Sequence, residues 1–187
     1  MRTVASILWQ RLDAPGHDAC RLERSETAWQ LDGAAVFRQA DGRIAQLHYR
    51  VRCDLHWHTQ WGTVRGWLGD ATVDFSVAHD AHGRWLLNDT PVPELAHCID
   101  LDLGFTPATN LIPLRRLQLA QGERAAAPAA WLDLEGGELG LLEQHYERCG
   151  ESAYDYRAER FDYAARLEVT AEGFVRDYPE RWVIVPS

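Results

Sequence analysis

Residues 47–58, LHYRVRCDLHWH, alternate without a break. Leu47, Tyr49, Val51, Cys53, Leu55 and Trp57 take the odd positions, and His48, Arg50, Arg52, Asp54, His56 and His58 the even ones. In an extended chain successive side chains point to opposite faces, so this pattern predicts a long strand with one dry face and one wet face. The same period continues outward in both directions. Upstream, Trp29, Leu31, Ala35 and Phe37 alternate with polar or small residues, and the turn at residues 39–42, QADG, makes a hairpin. Downstream, Val73, Phe75 and Val77 repeat the pattern up to the turn DAHG at 80–83, and a short run over 85–87 follows.

The C-terminal third reads the same way. Phe161, Tyr163, Ala165, Leu167 and Val169 predict one strand, residues 171–173 turn it into 174–178, and an apolar run over 182–185 ends the chain after Pro179. Helical signals are few: one turn over 93–97, and residues 138–148, which fit either period. Residues 121–130, QGERAAAPAA, read as a polar, alanine-rich loop. No repeat or linker divides the chain, so residues 1–187 are expected to form a single, mostly β, antiparallel domain. Strand counting leaves a sandwich, a barrel and a roll open.

Composition removes several functions. All 19 basic residues are arginine and none is lysine, which excludes P-loop, Schiff-base and lysine-nucleophile chemistry. A formal net charge of −9 without basic runs argues against nucleic acid and against lasting adhesion to anionic membranes. Cys20, Cys53, Cys98 and Cys149 are scattered without zinc-like spacing, so free thiols in a reducing cytoplasm are expected. No apolar stretch is long enough for a signal sequence or a membrane span. The eight tryptophans suit a core, and they equally suit a pocket for sugars or lipids.

Three constellations stand out. His56 and His58 share a strand face with Asp54 and His48, but the third ligand a metal site wants is missing, and no metal is expected. Five serines lie outside any nucleophile elbow, so no catalytic residue and no cofactor are assigned. The densest segment is 98–119, CIDLDLGFTPATNLIPLRRLQL, where Gly104, Pro107 and Pro113 forbid a long regular element. Asp100 and Asp102 share one side of its first part, with Arg115 and Arg116 a short way on. Structural ion pairs among these four are expected, because buried charges must be paired.

This segment carries a resemblance. Asp-x-Asp-Leu at 100–103, Thr-Pro-x-Thr-Asn at 106–110 and Pro-x-Arg-Arg-Leu at 113–117 resemble the signature of a small bacterial glycolipid-binding family, first filed as a domain of unknown function. Gln144-His145-Tyr146, Tyr154-Asp155-Tyr156 and the run GFVRDYP at 173–179 resemble its later motifs in the same order, so the likeness covers nearly the whole chain. Leu111, Ile112 and Leu114 replace other small or apolar residues of the pattern. The resemblance implies a many-stranded spiral β-roll wrapped around one helix, similar to lipoprotein-localisation factors. It also implies a homodimer and a role in binding or moving a glycolipid.

The expected partner is therefore an amphipathic small molecule, with Thr109, Asn110, Arg115 and Arg116 at its polar head and Trp57, Trp67 and Tyr146 at its apolar part. Two alternatives stay open. One is a hydrolase or metal-dependent enzyme using Asp100, Asp102 or the histidine pair. The other is a structural dimer whose core is filled.

Overall fold

The computed structural model describes residues 1–186. Six long strands open the chain as a meander: β1 (Arg2–Arg11), β2 (Gly16–Arg24), β3 (Trp29–Arg38), β4 (Ile44–Cys53), β5 (Thr59–Leu68) and β6 (Ala71–His79). Two short strands, β7 (Trp85–Leu87) and β8 (Thr90–Val92), finish that edge. The chain then crosses the interior through β9 (Asp100–Asp102), a 3-10 turn at Pro107–Asn110 and α1 (Leu111–Leu117). It returns through β10 (Arg124–Ala126), β11 (Ala129–Asp133), β12 (Glu138–Leu142), β13 (Gln144–Arg148), β14 (Ala153–Ala158), β15 (Tyr163–Val169), β16 (Val175–Tyr178) and β17 (Trp182–Ile184).

β17 pairs with β1, so the returning half extends the same sheet. The result has 14 strands in the order β10-β13-β14-β15-β16-β17-β1-β2-β3-β4-β5-β6-β7-β8, all paired antiparallel. β8 and β10 remain edges, so the sheet curls without closing into a barrel. A three-stranded sheet, β12-β11-β9, lies inside it, with β9 parallel to β11. The fold is the mostly β roll around one helix that the family motifs imply. No helix among the described residues is long and apolar enough to cross a membrane.

The alternation at 47–53 has the expected consequence. Leu47, Tyr49, Val51 and Cys53 are buried, while His48 and Arg50 are exposed. The strand stops at Cys53, short of the predicted end. Asp54 accepts hydrogen bonds from the backbone N–H groups of His56 (2.8 Å) and His58 (2.9 Å), which closes residues 54–58 into a turn. Leu55 is consequently exposed at that turn. Residues 121–130 also differ from the expected loop. Ala127, Ala129 and Ala130 are fully buried, because the chain between β10 and β11 passes into the two apolar cores and β11 pairs with β9 there.

The one α-helix among the described residues lies in the segment that looked too irregular for one. The Thr106 hydroxyl accepts from Ala108 N–H (3.0 Å) and caps the turn that leads into α1. Pro107 opens that turn and Pro113 falls within the first turn of α1, where a missing donor costs little. Gln118, in the left-handed conformation (φ +47°), ends the helix. Leu111 and Ile112 pack into a core under the meander, and Leu114 into a second core against β13–β16. The helix is thus the post on which both halves of the sheet close.

Candidate functional site

Beside the β9–α1 crossing lies a cleft of about 150 Å³. Its inner wall is Asp102, residues 104–106 and Asn110. Asp102 is buried; it accepts from Gly104 N–H (2.7 Å) and from the Thr109 hydroxyl, and no arginine reaches it. Burial therefore pushes its carboxyl up to about 6, against the pull of those two bonds. Gly104 (φ +65°) is required here, since a Cβ would overlap the Trp131 indole.

Tyr156, Tyr163 and Tyr178, from β14–β16, form a second wall, with ring centroids 5.4–6.2 Å apart. The rim is an ion-paired triad. Asp13 binds Arg11 at 2.5 Å and Arg181 at 3.1 Å. Arg11 lies over the rings of Phe37 and Trp182, and Arg181 over Tyr163. Burial raises the Asp13 carboxyl, but the two guanidinium groups outweigh it and leave it below its ordinary value.

Behind the cleft a second polar cluster supports the 104–106 turn. Asp18 on β2 is fully buried, and the hydroxyls of Tyr49 (3.0 and 3.1 Å) and Thr106 both donate to it. Tyr49 crosses to Asp18 over Gly33, its register partner on β3, where any Cβ would overlap the phenol ring. No cation among the described residues meets Asp18, so desolvation pushes its carboxyl up to about 7 despite the two hydroxyls.

The residues predicted from the sequence fall in several places. Asn110 lines the cleft and donates to the Tyr146 hydroxyl (2.8 Å), while Thr109 sits behind Asp102. Tyr146 is fully buried and stands 4.9 Å from Tyr156, centroid to centroid. Arg116 makes a bidentate pair with Asp100, at 2.7 and 2.9 Å. Burial still holds the Asp100 carboxyl above its usual value, and Asp100 in turn raises Arg116. Asp102, the other acid of the pair expected to meet an arginine, takes backbone and hydroxyl donors instead.

Arg115 faces away from both acids, into an open groove that Trp57 also lines. Trp67 stands on the outer face of the sheet, 40% exposed, with its indole N–H bonded to Gln46. His56 and His58 are exposed on the turn after β4, and His58 pairs with Asp54 at 3.2 Å. The described residues contain no group of three side chains suited to a metal. Asp18, Tyr163, Tyr178 and the arginine–aspartate triad escaped the sequence reading. Only Tyr154 and Tyr156, two apart on one strand face, hinted at an aromatic wall.

Comparison with known proteins agrees with this architecture. The chain is similar to a DUF1089 family protein of Pseudomonas aeruginosa seen in a crystal structure, with 29% identity and a TM-score of 0.77 over 88% of this chain and 89% of that one. No protein of curated function matches. A family model described as "Putative glycolipid-binding" matches residues 6–183, and the chain belongs to that family.

Proposed function

We propose that the protein binds an amphipathic glycolipid and seats the sugar head in the cleft at Asp102. The observation that carries this reading is the lining itself. Tyrosine rings stand opposite a carboxyl, an amide and a fixed guanidinium triad, which suits a polyhydroxylated ring with apolar C–H faces and hydroxyl edges. A volume near 150 Å³ falls below the roughly 300–1,000 Å³ of ordinary ligand sites, so the cleft takes a head group and leaves the lipid outside. Asn110 and Thr109 act in this reading as head-group residues, directly and through Asp102. Homodimerisation, which the family motifs imply, belongs to the same proposal.

The test is calorimetric titration with n-octyl glucoside below its micelle concentration. Saturable binding is expected, and Asp102→Asn should weaken it about tenfold, the loss of one charge-assisted hydrogen bond. Equal affinity of the parent and the variant would reject the cleft.

One observation favours a second reading, glycoside hydrolysis. Asp102 is pushed up and Asp13 is held down within the same cleft, the separation that acid and base roles require. Release of p-nitrophenol from aryl glycosides, abolished in Asp102→Asn, would establish it.

A further inference from the structure

The groove beside α1 is a second cavity, separate in its residues from the cleft. It measures about 800 Å³, within the ordinary range for ligand sites, and opens to solvent between the C-terminal half of α1, the turn after β4 and the ends of β13–β15. Leu114, Trp57, Tyr154 and Val169 give it apolar surface, and Arg115 and Arg148 give it charge.

Arg148 is fixed in place without being neutralised. Its guanidinium donates to three backbone carbonyls, those of Leu119 (3.0 Å), Gly150 (3.1 Å) and Glu151 (2.9 Å). Carbonyls hold the group rigid but leave its positive charge uncompensated, and some of its five N–H donors stay free. Arg115 is the neighbour of Arg116, which already occupies Asp100. One residue's rotation around the helix turns Arg115 to the groove, where its stem lies over Gly173. A Cβ at Gly173 would sit 3.3 Å from Arg115 Cδ, and φ of +98° also favours glycine there.

Among the described residues no carboxylate lies within ion-pair distance of Arg115 or Arg148. Glu151 lines the groove too, yet it meets Arg148 through its backbone carbonyl. In a chain of net charge −9, two guanidinium groups without a carboxylate partner among the described residues favour an anion in one groove.

The apolar wall is equally deliberate. Trp57 is held at φ +68°, a conformation that is costly for a bulky residue and persists only where its surroundings impose it. The Asp54 turn imposes it, and the ring then stacks on Trp29 at 4.7 Å, over which Arg24 also lies at 4.8 Å. The accessible edge of a rigid, largely buried indole in the same groove as two guanidinium groups matches hydrocarbon joined to an oxyanion. Guanidinium groups recognise phosphate bidentately.

We propose that this groove binds an amphiphile whose head is a terminal phosphate monoester, with that phosphate between Arg115 and Arg148 and the hydrocarbon against Trp57 and Leu114. The inference rests on the reading that the protein binds amphiphiles, but it uses other residues.

Dihexanoyl phosphatidic acid, dihexanoyl phosphatidylcholine and inorganic phosphate, each below any micelle concentration, form the test, followed by calorimetry and tryptophan fluorescence. Phosphatidic acid should bind at least tenfold more tightly than either of the others. Arg115→Gln should weaken it at least tenfold, and Arg115→Lys should restore part of the loss. The proposal is overturned if the two lipids bind alike or if Arg115→Gln has no effect. It is overturned as well if inorganic phosphate binds as tightly as the lipid, which would make this a free-phosphate site. Failure here with octyl glucoside binding intact removes only this groove, and loss of both removes the amphiphile reading.

Discussion

Asp100 and Asp18 are equally buried, yet the two regions that hold them solve the same electrostatic problem in opposite ways. At the β9–α1 junction, Asp100 meets the Arg116 guanidinium in a bidentate pair. Under the meander, Asp18 meets no cation among the described residues and takes its side-chain partners from the hydroxyls of Tyr49 and Thr106. A buried carboxylate must be paired with a cation or take up a proton. The first region uses the cation and becomes a permanent clamp between strand and helix. The second leaves the proton as the remaining choice, near neutral pH, and Thr106 connects it to the cleft wall. The difference teaches that burial alone does not say what a carboxylate does: the charge opposite it does.

Removing the clamp should break the comparison most. Arg116→Ala strands Asp100 without its partner, and denaturant unfolding should show a loss of about 3–5 kcal/mol. Arg115→Ala, one residue away and without an ion pair, should cost at most about 1 kcal/mol. Similar losses in the two variants would show that Asp100 does not depend on its cation.

The Asp18 region should reveal itself through pH. An acid whose folded-state value lies above its unfolded value binds more protons when folded, so stability is full below about pH 4. It declines as pH rises toward 7, where the loss is complete. A tenfold change in proton affinity is worth about 1.4 kcal/mol, so moving Asp18 from 3.8 to about 7 costs the ionised folded protein on the order of 4 kcal/mol. Unfolding midpoints measured from pH 4 to 8 should fall in the parent and much less in Asp18→Asn. Parallel curves would mean that Asp18 is ionised at little cost.

The smallest effect concerns the hydroxyl that stands where a cation would. Tyr49→Phe keeps the ring over Gly33 and deletes one donor to Asp18, which should cost about 1–3 kcal/mol. That loss should shrink at pH 4, where Asp18 is protonated in any case. A pH-independent loss would assign the whole effect to packing.

Much of the fold was legible in the chain. The period-two runs located β3, β4, β6 and β15–β17 to within a few residues, because a half-buried strand must alternate. Alternation could not say where a strand stops: Leu55 continues the pattern, but the Asp54 turn overrules it. Residues 121–130 misled for a related reason, since alanine carries little local signal and its burial depends on what approaches it. The helix hid among prolines that are harmless only because they fall in first turns. The candidate site was less visible still. Asp102 and Asn110 were marked by their motif, while the tyrosine wall and the Arg11–Asp13–Arg181 rim come from strands and turns more than 150 residues apart at the extremes.

By itself, the sequence determined the antiparallel strand content, the absence of lysine chemistry, the family motifs and the candidate role of residues 98–119. Each is a local property: side-chain alternation follows from backbone geometry, and a motif is read residue by residue. Tertiary structure alone decided that β17 joins β1, that Arg116 and not Arg115 takes Asp100, and that Asp18 has no cation. Those outcomes depend on which side chains meet across long separations, and a carboxyl's charge is set by its surroundings, not by its place in the chain.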